Sequence, residues 1–215
     1  MLRVRESFIV PRQRVNGTFA PAVYGLYPAL RMQAFLVSLG AVALAEIGDK
    51  TQLLSLVLAA KYRRPLPICF GVLVATLLNH AIAAEAGAWL AQWLTPSVQR
   101  WLIGGSFIAV SIWALFPDKA DEGAATRDGH GVFVATVIAF FLAEMGDRTQ
   151  IATAILGAQF RAPLQVIAGT TIGMMIANAP VVFLGARFAQ RLPLRAARVC
   201  ASVLFAALGV WILLR

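Results

Sequence analysis

An eight-residue polar sequence occurs twice in this chain, each time in the middle of a long apolar stretch. Both copies read Ala-Glu-x-Gly-Asp-[Lys/Arg]-Thr-Gln, and they occupy residues 45–52 and 143–150. An ionised group at the centre of a membrane helix costs roughly 2.5 to 3.5 kcal/mol, so two pairs of carboxylates there would cost on the order of 10 kcal/mol. A cost of this size, incurred twice, indicates a functional site. The competing interpretation is purely structural, with Glu46 paired to Lys50 and Glu144 to Arg148 inside their own helices.

The residue types in the two copies predict a binding site for a hard divalent cation. The candidate ligands are Glu46, Asp49, Glu144 and Asp147. Candidate supporting oxygens belong to Thr51, Gln52, Thr149 and Gln150. Four carboxylates less the positive charges of Lys50 and Arg148 leave a formal charge of −2, which a divalent cation would balance. All-oxygen sites favour Ca²⁺, Mg²⁺ and Mn²⁺ over Zn²⁺ or Cu²⁺, and protons compete with metals for carboxylates, which is the basis of an antiporter.

Composition places the chain in a membrane. Of 215 residues, 60% are hydrophobic and 13% are charged, which is more apolar than a soluble domain of this length can bury. The net charge of +9 comes from single Lys and Arg residues near helix ends, without the basic and aromatic surface that nucleic-acid binding needs. Isolated cysteines and histidines exclude a zinc enzyme. We predict no enzymatic activity and no prosthetic group.

Six apolar runs are long enough to cross a hydrocarbon core of about 30 Å. They are residues 33–59, 66–94, 98–116, 131–158, 164–190 and 197–214. The second three repeat the first three at the 98-residue separation of Glu46 and Glu144, and Arg63, Pro65 and Gly71 recur at that separation. Because three is odd, the second repeat enters the membrane from the opposite side. We therefore predict an all-α integral membrane protein of six transmembrane helices, built as two inverted-topology three-helix repeats.

The predicted boundaries are a tail over residues 1–31, repeat 1 over 32–116, a connecting loop over 117–130 and repeat 2 over 131–215. The tail has no counterpart in repeat 2 and is predicted to lie outside the functional unit, either as a dispensable segment or because the true start is Met32. Without it, three Lys and Arg residues lie on one side of the membrane against nine on the other. The positive-inside rule then places both termini outside and the 117–130 loop in the cytoplasm.

Other polar residues within the apolar runs are candidates for the ion path. Asn79, His80 and Asn178 are expected either to bridge helices through hydrogen bonds or to line the path. Glu85 has apolar Phe183 at the matching position, which suggests a proton relay specific to repeat 1. Gly169 and Gly173, with their counterparts Gly71 and Ala75, are expected to let the second and fifth spans pack closely.

The duplicated motifs in the first and fourth spans resemble the E-x-G-D-[KR]-[TS] signature of the Ca²⁺/Mn²⁺:H⁺ antiporter family. The resemblance covers about residues 32–215, and the short 117–130 loop resembles the compact prokaryotic form. It implies that Glu46, Asp49, Glu144 and Asp147 form the cation site, with Thr51 and Thr149 in support. It also implies a bacterial exporter that exchanges Mn²⁺, as transported ion, for H⁺.

The predicted function is therefore proton-coupled export of Mn²⁺ across the cytoplasmic (inner) membrane of a bacterium, by rocking of the two repeats around a midplane site. The nearest alternative is a Ca²⁺:H⁺ antiporter that uses the same residues, because oxygen ligands discriminate weakly between Ca²⁺ and Mn²⁺. A passive divalent cation channel could use the same polar lining. An intramembrane hydrolase with an Asp49–Asp147 dyad is the weakest alternative. The predicted partners are the cation and the lipid bilayer, with no nucleic acid. The sequence leaves open whether the protein forms a homo-oligomer.

Overall fold

The computed structural model describes residues 28–116, 131–185 and 194–215, and within them the chain forms eight helices and no strand. The helices are α1 (Pro28–Glu46), α2 (Lys50–Tyr62), α3 (Pro65–Trp93), α4 (Pro96–Ala114), α5 (Val132–Glu144), α6 (Arg148–Phe160), α7 (Pro163–Leu184) and α8 (Leu194–Leu213). Four of them, α1, α3, α7 and α8, are long and apolar enough to cross a membrane. The predicted 117–130 loop and most of the predicted tail lie outside the described residues. Helix α1 begins at Pro28, inside the predicted tail.

The predicted first and fourth spans are each two helices rather than one. Helix α1 ends at Glu46 and α2 begins at Lys50, while α5 ends and α6 begins around the equivalent turn of the second copy. Gly48 and Gly146 have φ angles of 81° and 75°, a left-handed conformation that only glycine adopts without a Cβ clash. Residues 47–49 are not helical, so a turn, rather than one face of a continuous helix, sets the positions of Glu46 and Asp49.

One side-chain hydrogen bond at the helix break, from a glycine N–H to a glutamine oxygen, is present in both copies. Asp49 and Asp147 occupy the N-cap positions of α2 and α6. The side-chain oxygen of Gln52 accepts from the Gly48 N–H at 2.8 Å, and that of Gln150 accepts from the Gly146 N–H at 2.7 Å. This arrangement resembles a capping box, in which a residue three positions into the helix reaches back to the turn. The octapeptide therefore specifies a helix break as well as a set of oxygen atoms.

Small residues bring the helices together, although with different partners from those expected. A Cβ on Gly169 of α7 would lie 2.4 Å from the carbonyl oxygen of Phe35 in α1. A Cβ on Gly71 of α3 would lie 3.0 Å from the carbonyl oxygen of Phe133 in α5. These glycines thus pack the second span on the fourth and the fifth on the first. The second and fifth spans, α3 and α7, are in contact as expected, although the nearest neighbours of these two glycines belong to α5 and α1.

Among the described glycines, the one with least room for a Cβ is Gly87, where α3 packs on α6. A Cβ on Gly87 would lie 1.9 Å from the carbonyl oxygen of Ala154, which is backbone and cannot turn aside. We expect Gly87→Ala to separate the two helices and to prevent recovery of a monodisperse protein in detergent. Gly105→Ala is the matched control, because nothing lies within 4 Å of a Cβ there. Equal yields and equal melting midpoints of the two variants would contradict the α3–α6 contact.

Candidate cation site

Three carboxylates from the two helix breaks converge at one point. Glu46 is the last residue of α1, and Asp49 and Asp147 precede α2 and α6. One oxygen from each of these residues lies within 4.8 Å of the other two, and the side chains are 0%, 0% and 2% exposed. Oxygens bound to one ion are at most twice the metal–oxygen distance apart, about 4 to 5 Å for ions between Mg²⁺ and Ca²⁺. The three carboxylates are therefore spaced to hold a single divalent cation, and we call them the acidic cluster.

The fourth predicted ligand, Glu144, lies apart from the acidic cluster. It is fully buried, and both of its oxygens are engaged by α3. Oε1 accepts from the Thr76 hydroxyl at 3.0 Å, and Oε2 accepts from Asn79 Nδ2 at 3.3 Å. Of the four carboxylates predicted to form the site, the structure thus brings three together and holds the fourth on a neighbouring helix.

Two basic side chains form ion pairs with the acidic cluster, and each ion pair joins one copy of the motif to the other. The Arg148 guanidinium donates to the Asp49 carboxylate, and it also donates to the Phe116 carbonyl at 3.3 Å. Lys50 Nζ lies 3.5 Å from Asp147 Oδ1. The structural interpretation expected pairs within one helix, whereas these pairs join the two breaks. With Glu144 included, the group carries the formal charge of −2 that a divalent cation would balance.

The supporting residues orient the carboxylates and tie the breaks to adjacent helices. Thr51 donates to Glu46 Oε2 at 2.5 Å, and Thr149 donates to Asp147 Oδ2 at 3.0 Å. Gln52 donates to a backbone carbonyl of α7 at 2.9 Å. Gln150 donates to Asn79 Oδ1 in α3 at 3.2 Å. The side-chain oxygens of both glutamines accept from the glycine N–H groups at the breaks. Each glutamine therefore links its break to a facing helix.

The polar residues of the second and fifth spans fall into different environments. Asn178 is buried and donates to Glu46 Oε2 at 3.5 Å, while its own oxygen accepts from Ser55 at 2.9 Å. His80 is buried at the repeat-equivalent position, and neither ring nitrogen has a hydrogen-bond partner within the part of the chain that the structure describes. Glu85 lies on the exposed face of α3, away from the acidic cluster.

Two residues that contact this network were not among the predicted site residues. Thr76 and Ser55 are both fully buried and both hydrogen-bond within it. Thr76 lies three residues before Asn79 on α3, so helical periodicity puts the two side chains on one face. This spacing was the only indication in the sequence that Thr76 belongs near the site. A single hydroxyl in an apolar helix is too common for the spacing to identify it.

Comparison with known proteins places the chain in a family. Residues 34–122 and 132–215 match the family model described as divalent cation/proton antiporter GDT1. The chain belongs to this family, and it is a transporter rather than an enzyme. It is 51% identical over 177 residues to a protein of Vibrio cholerae named "Putative manganese exporter", with 81% of this chain and 87% of the relative covered.

More distant relatives are named GDT1-like proteins, and they include a plant protein. A GDT1-like protein of Synechocystis is 26% identical over 201 residues, which are 81% of this chain and 93% of that protein. A chloroplastic GDT1-like protein of Oryza sativa is 25% identical over 209 residues, which are 82% of this chain and 59% of that protein. No solved structure matches the chain with significance.

Proposed function

We propose that this protein exports Mn²⁺ from a bacterial cytoplasm in exchange for protons, with the acidic cluster as the transport site. The observation that carries the proposal is the convergence of Glu46, Asp49 and Asp147 at two helix breaks, fully buried and with oxygen donors only. Membership of a divalent cation/proton antiporter family supports the coupling to protons. The name of the Vibrio cholerae relative supports Mn²⁺ as the ion.

Alternating access requires two halves that can move against each other, and we propose that six spans form two inverted repeats, 32–116 and 131–215. Equivalent residues make equivalent contacts in support of this arrangement. Phe107 stacks on its own repeat equivalent, Phe205, with ring centroids 6.1 Å apart. The hydroxyls of Ser111 and Ser202 are 3.2 Å apart, and their equivalents, Gly209 and Gly104, also meet each other. These pairs would lie on or beside a two-fold axis between α4 and α8.

Helix directions support the inversion. Along α3, Gly71 lies against residues 133 and 136, and Asn79 further on contacts Phe141 and Glu144, so α3 runs parallel to α5. The short connection between α2 and α3 reverses the chain. The first and fourth spans therefore run in opposite directions. We place the site near the bilayer midplane, both termini outside and residues 117–130 in the cytoplasm of a cell whose inner membrane holds the protein.

Proton-driven uptake of Mn²⁺ into inside-out vesicles tests the proposal. With the full chain in the membrane, the lumen acidic and the membrane potential clamped at zero, we expect saturable accumulation of Mn²⁺. Adding Mn²⁺ outside should raise the luminal pH, because protons leave as the metal enters. A protonophore should abolish both signals.

Competing ions and an empty-vesicle control separate the remaining alternatives. Ca²⁺ added with Mn²⁺ should inhibit weakly if Mn²⁺ is the preferred substrate, and it should replace Mn²⁺ fully in a Ca²⁺:H⁺ antiporter. Uptake that ignores the pH gradient and does not saturate would support a channel instead. Vesicles without the protein set the background for each measurement.

A further inference from the structure

The two copies of the motif hold their glutamates in different positions although the backbone around them is alike. The Asp49 N–H donates to the Glu46 carbonyl at 3.0 Å, and the Asp147 N–H donates to the Glu144 carbonyl at the same distance. Glu46 nevertheless reaches the acidic cluster, whereas Glu144 is hydrogen-bonded to α3. Because the local turns match, the position of Glu46 shows where the side chain of Glu144 could also lie.

The threonines that follow the glycines differ in the same sense. The Thr51 hydroxyl donates to Glu46 at 2.5 Å and makes a longer contact of 3.5 Å with Asp49, so it holds the glutamate beside its own aspartate. Thr149 donates instead to Asp147, through both its hydroxyl at 3.0 Å and its backbone N–H at 3.3 Å. The hydroxyl that would bind Glu144 in the cluster is therefore engaged elsewhere while Glu144 is on α3.

The residues that hold Glu144 occur in one repeat only. Thr76 and Asn79 supply a hydroxyl and an amide, and both side chains are buried against α5. Their equivalents on α7, 98 residues later, are Met174 and Ala177, whose side chains supply neither group. The hydroxyl and amide pair is thus a specific feature of α3, whereas α7 contacts Glu46 through Asn178, whose amide lies 3.5 Å from Glu46 Oε2.

A chain of hydrogen bonds connects the holding contacts to the helix break. The Gly146 N–H donates to Gln150 Oε1 at 2.7 Å, and Gln150 Nε2 donates to Asn79 Oδ1 at 3.2 Å. Asn79 Nδ2 then donates to Glu144 at 3.3 Å. A change of angle at the α5–α6 break would be transmitted to Asn79 and so to Glu144, because these hydrogen bonds connect the three residues in series.

We propose that Thr76 and Asn79 are positioning residues that hold Glu144 out of the acidic cluster, and that Glu144 joins the bound cation as a fourth carboxylate in another state of the transport cycle. This inference rests on the proposed function. The cation is held by three carboxylates in the state described and by four when Glu144 swings across. Thr76 and Asn79 weaken binding in one state and so permit release, which a permanent four-carboxylate site would oppose.

Mn²⁺ binding to the purified full chain tests this role. In Thr76→Val, Glu144 loses one holding bond, and a hydrogen bond to a charged group is worth about a decade or more in an equilibrium constant. We expect the Kd for Mn²⁺ to fall about tenfold, measured from the electron paramagnetic resonance signal of free Mn²⁺. The maximum rate of vesicle uptake should fall with it, since release becomes slower. Asn79→Ala should act in the same direction.

Testing the same substitution in a variant that lacks the Glu144 charge distinguishes a positioning role of Thr76 from a general disruption of the protein. In a Glu144→Gln protein, Thr76→Val should leave the Kd unchanged, because Thr76 acts through the Glu144 charge. Thr170→Val is the control, since its hydroxyl bonds only to carbonyls of α7 itself. A Kd that is unchanged or higher in Thr76→Val overturns the inference while the wild-type chain still binds and transports Mn²⁺. A wild-type chain that does neither would overturn the proposed function itself.

Discussion

Proton-driven Mn²⁺ uptake is expected to fall at least about 100-fold in the Glu46→Gln variant. Residues that merely support a metal ligand contribute roughly 10- to 100-fold to affinity, and a carboxylate ligand should contribute more. Glu46 is fully buried and supplies one of the three oxygens of the acidic cluster. Gln keeps its shape and its hydrogen bond from Thr51 but removes the charge. The initial rate of uptake into inside-out vesicles measures the effect.

The variant should remain folded, because an uncharged amide costs less to bury than a carboxylate does. Glu85→Gln is the matched control: it makes the same change on the exposed face of α3, outside the acidic cluster, and we expect near-wild-type uptake. Wild-type uptake in an inserted Glu46→Gln protein would remove Glu46 from the transport site. Equal loss in both variants would point to a general effect of carboxylates on the protein.

Among the charged residues around the acidic cluster, Arg148 should have the largest effect on stability. Its guanidinium is 2% exposed and pairs with fully buried Asp49. Removing one partner of a buried ion pair costs about 3 to 5 kcal/mol, and 1 kcal/mol shifts the melting midpoint of a chain of this size by roughly 2 to 4 °C. We therefore expect Arg148→Met to lower the midpoint in detergent by at least about 6 °C, followed by the loss of monodisperse protein on heating.

Lys50 provides the comparison, because its side chain is 19% exposed and its amine lies 3.5 Å from Asp147. Lys50→Met should lower the midpoint by less than about 3 °C, since solvent screens a partly exposed pair. Combining Arg148→Met with Asp49→Asn should recover most of the stability, because no buried charge then lacks its partner. An additive loss in the double variant would show that Arg148 acts through something other than Asp49.

Much of the site was predictable because charge in an apolar run is expensive and therefore informative. The octapeptide named Glu46, Asp49 and Asp147 as ligands, and the structure brings these carboxylates together. Glycine weakens a helix, and in both copies the glycine has a positive φ angle at the helix break. The family was also predictable, since two intact signatures at a fixed separation are a specific match.

Contacts between segments that are distant in sequence were harder to predict. The sequence could not show that Arg148 pairs with Asp49 and Lys50 with Asp147, because either cation could equally have paired within its own helix. Nor could it show that Gly169 packs on α1, since a small residue permits close approach without selecting a partner. Both questions depend on which helices become neighbours.

By itself, the sequence determined that the chain is helical and apolar, that its acidic motif occurs twice, and which carboxylates the two motifs contain. Those properties are local, because they follow from composition, spacing and the conformational freedom of glycine. Only the tertiary structure decided that Glu46 belongs to the acidic cluster while Glu144 lies against Thr76 and Asn79. The octapeptides around the two glutamates are nearly the same, so the different positions of the glutamates depend on the side chains of the helix that each one faces.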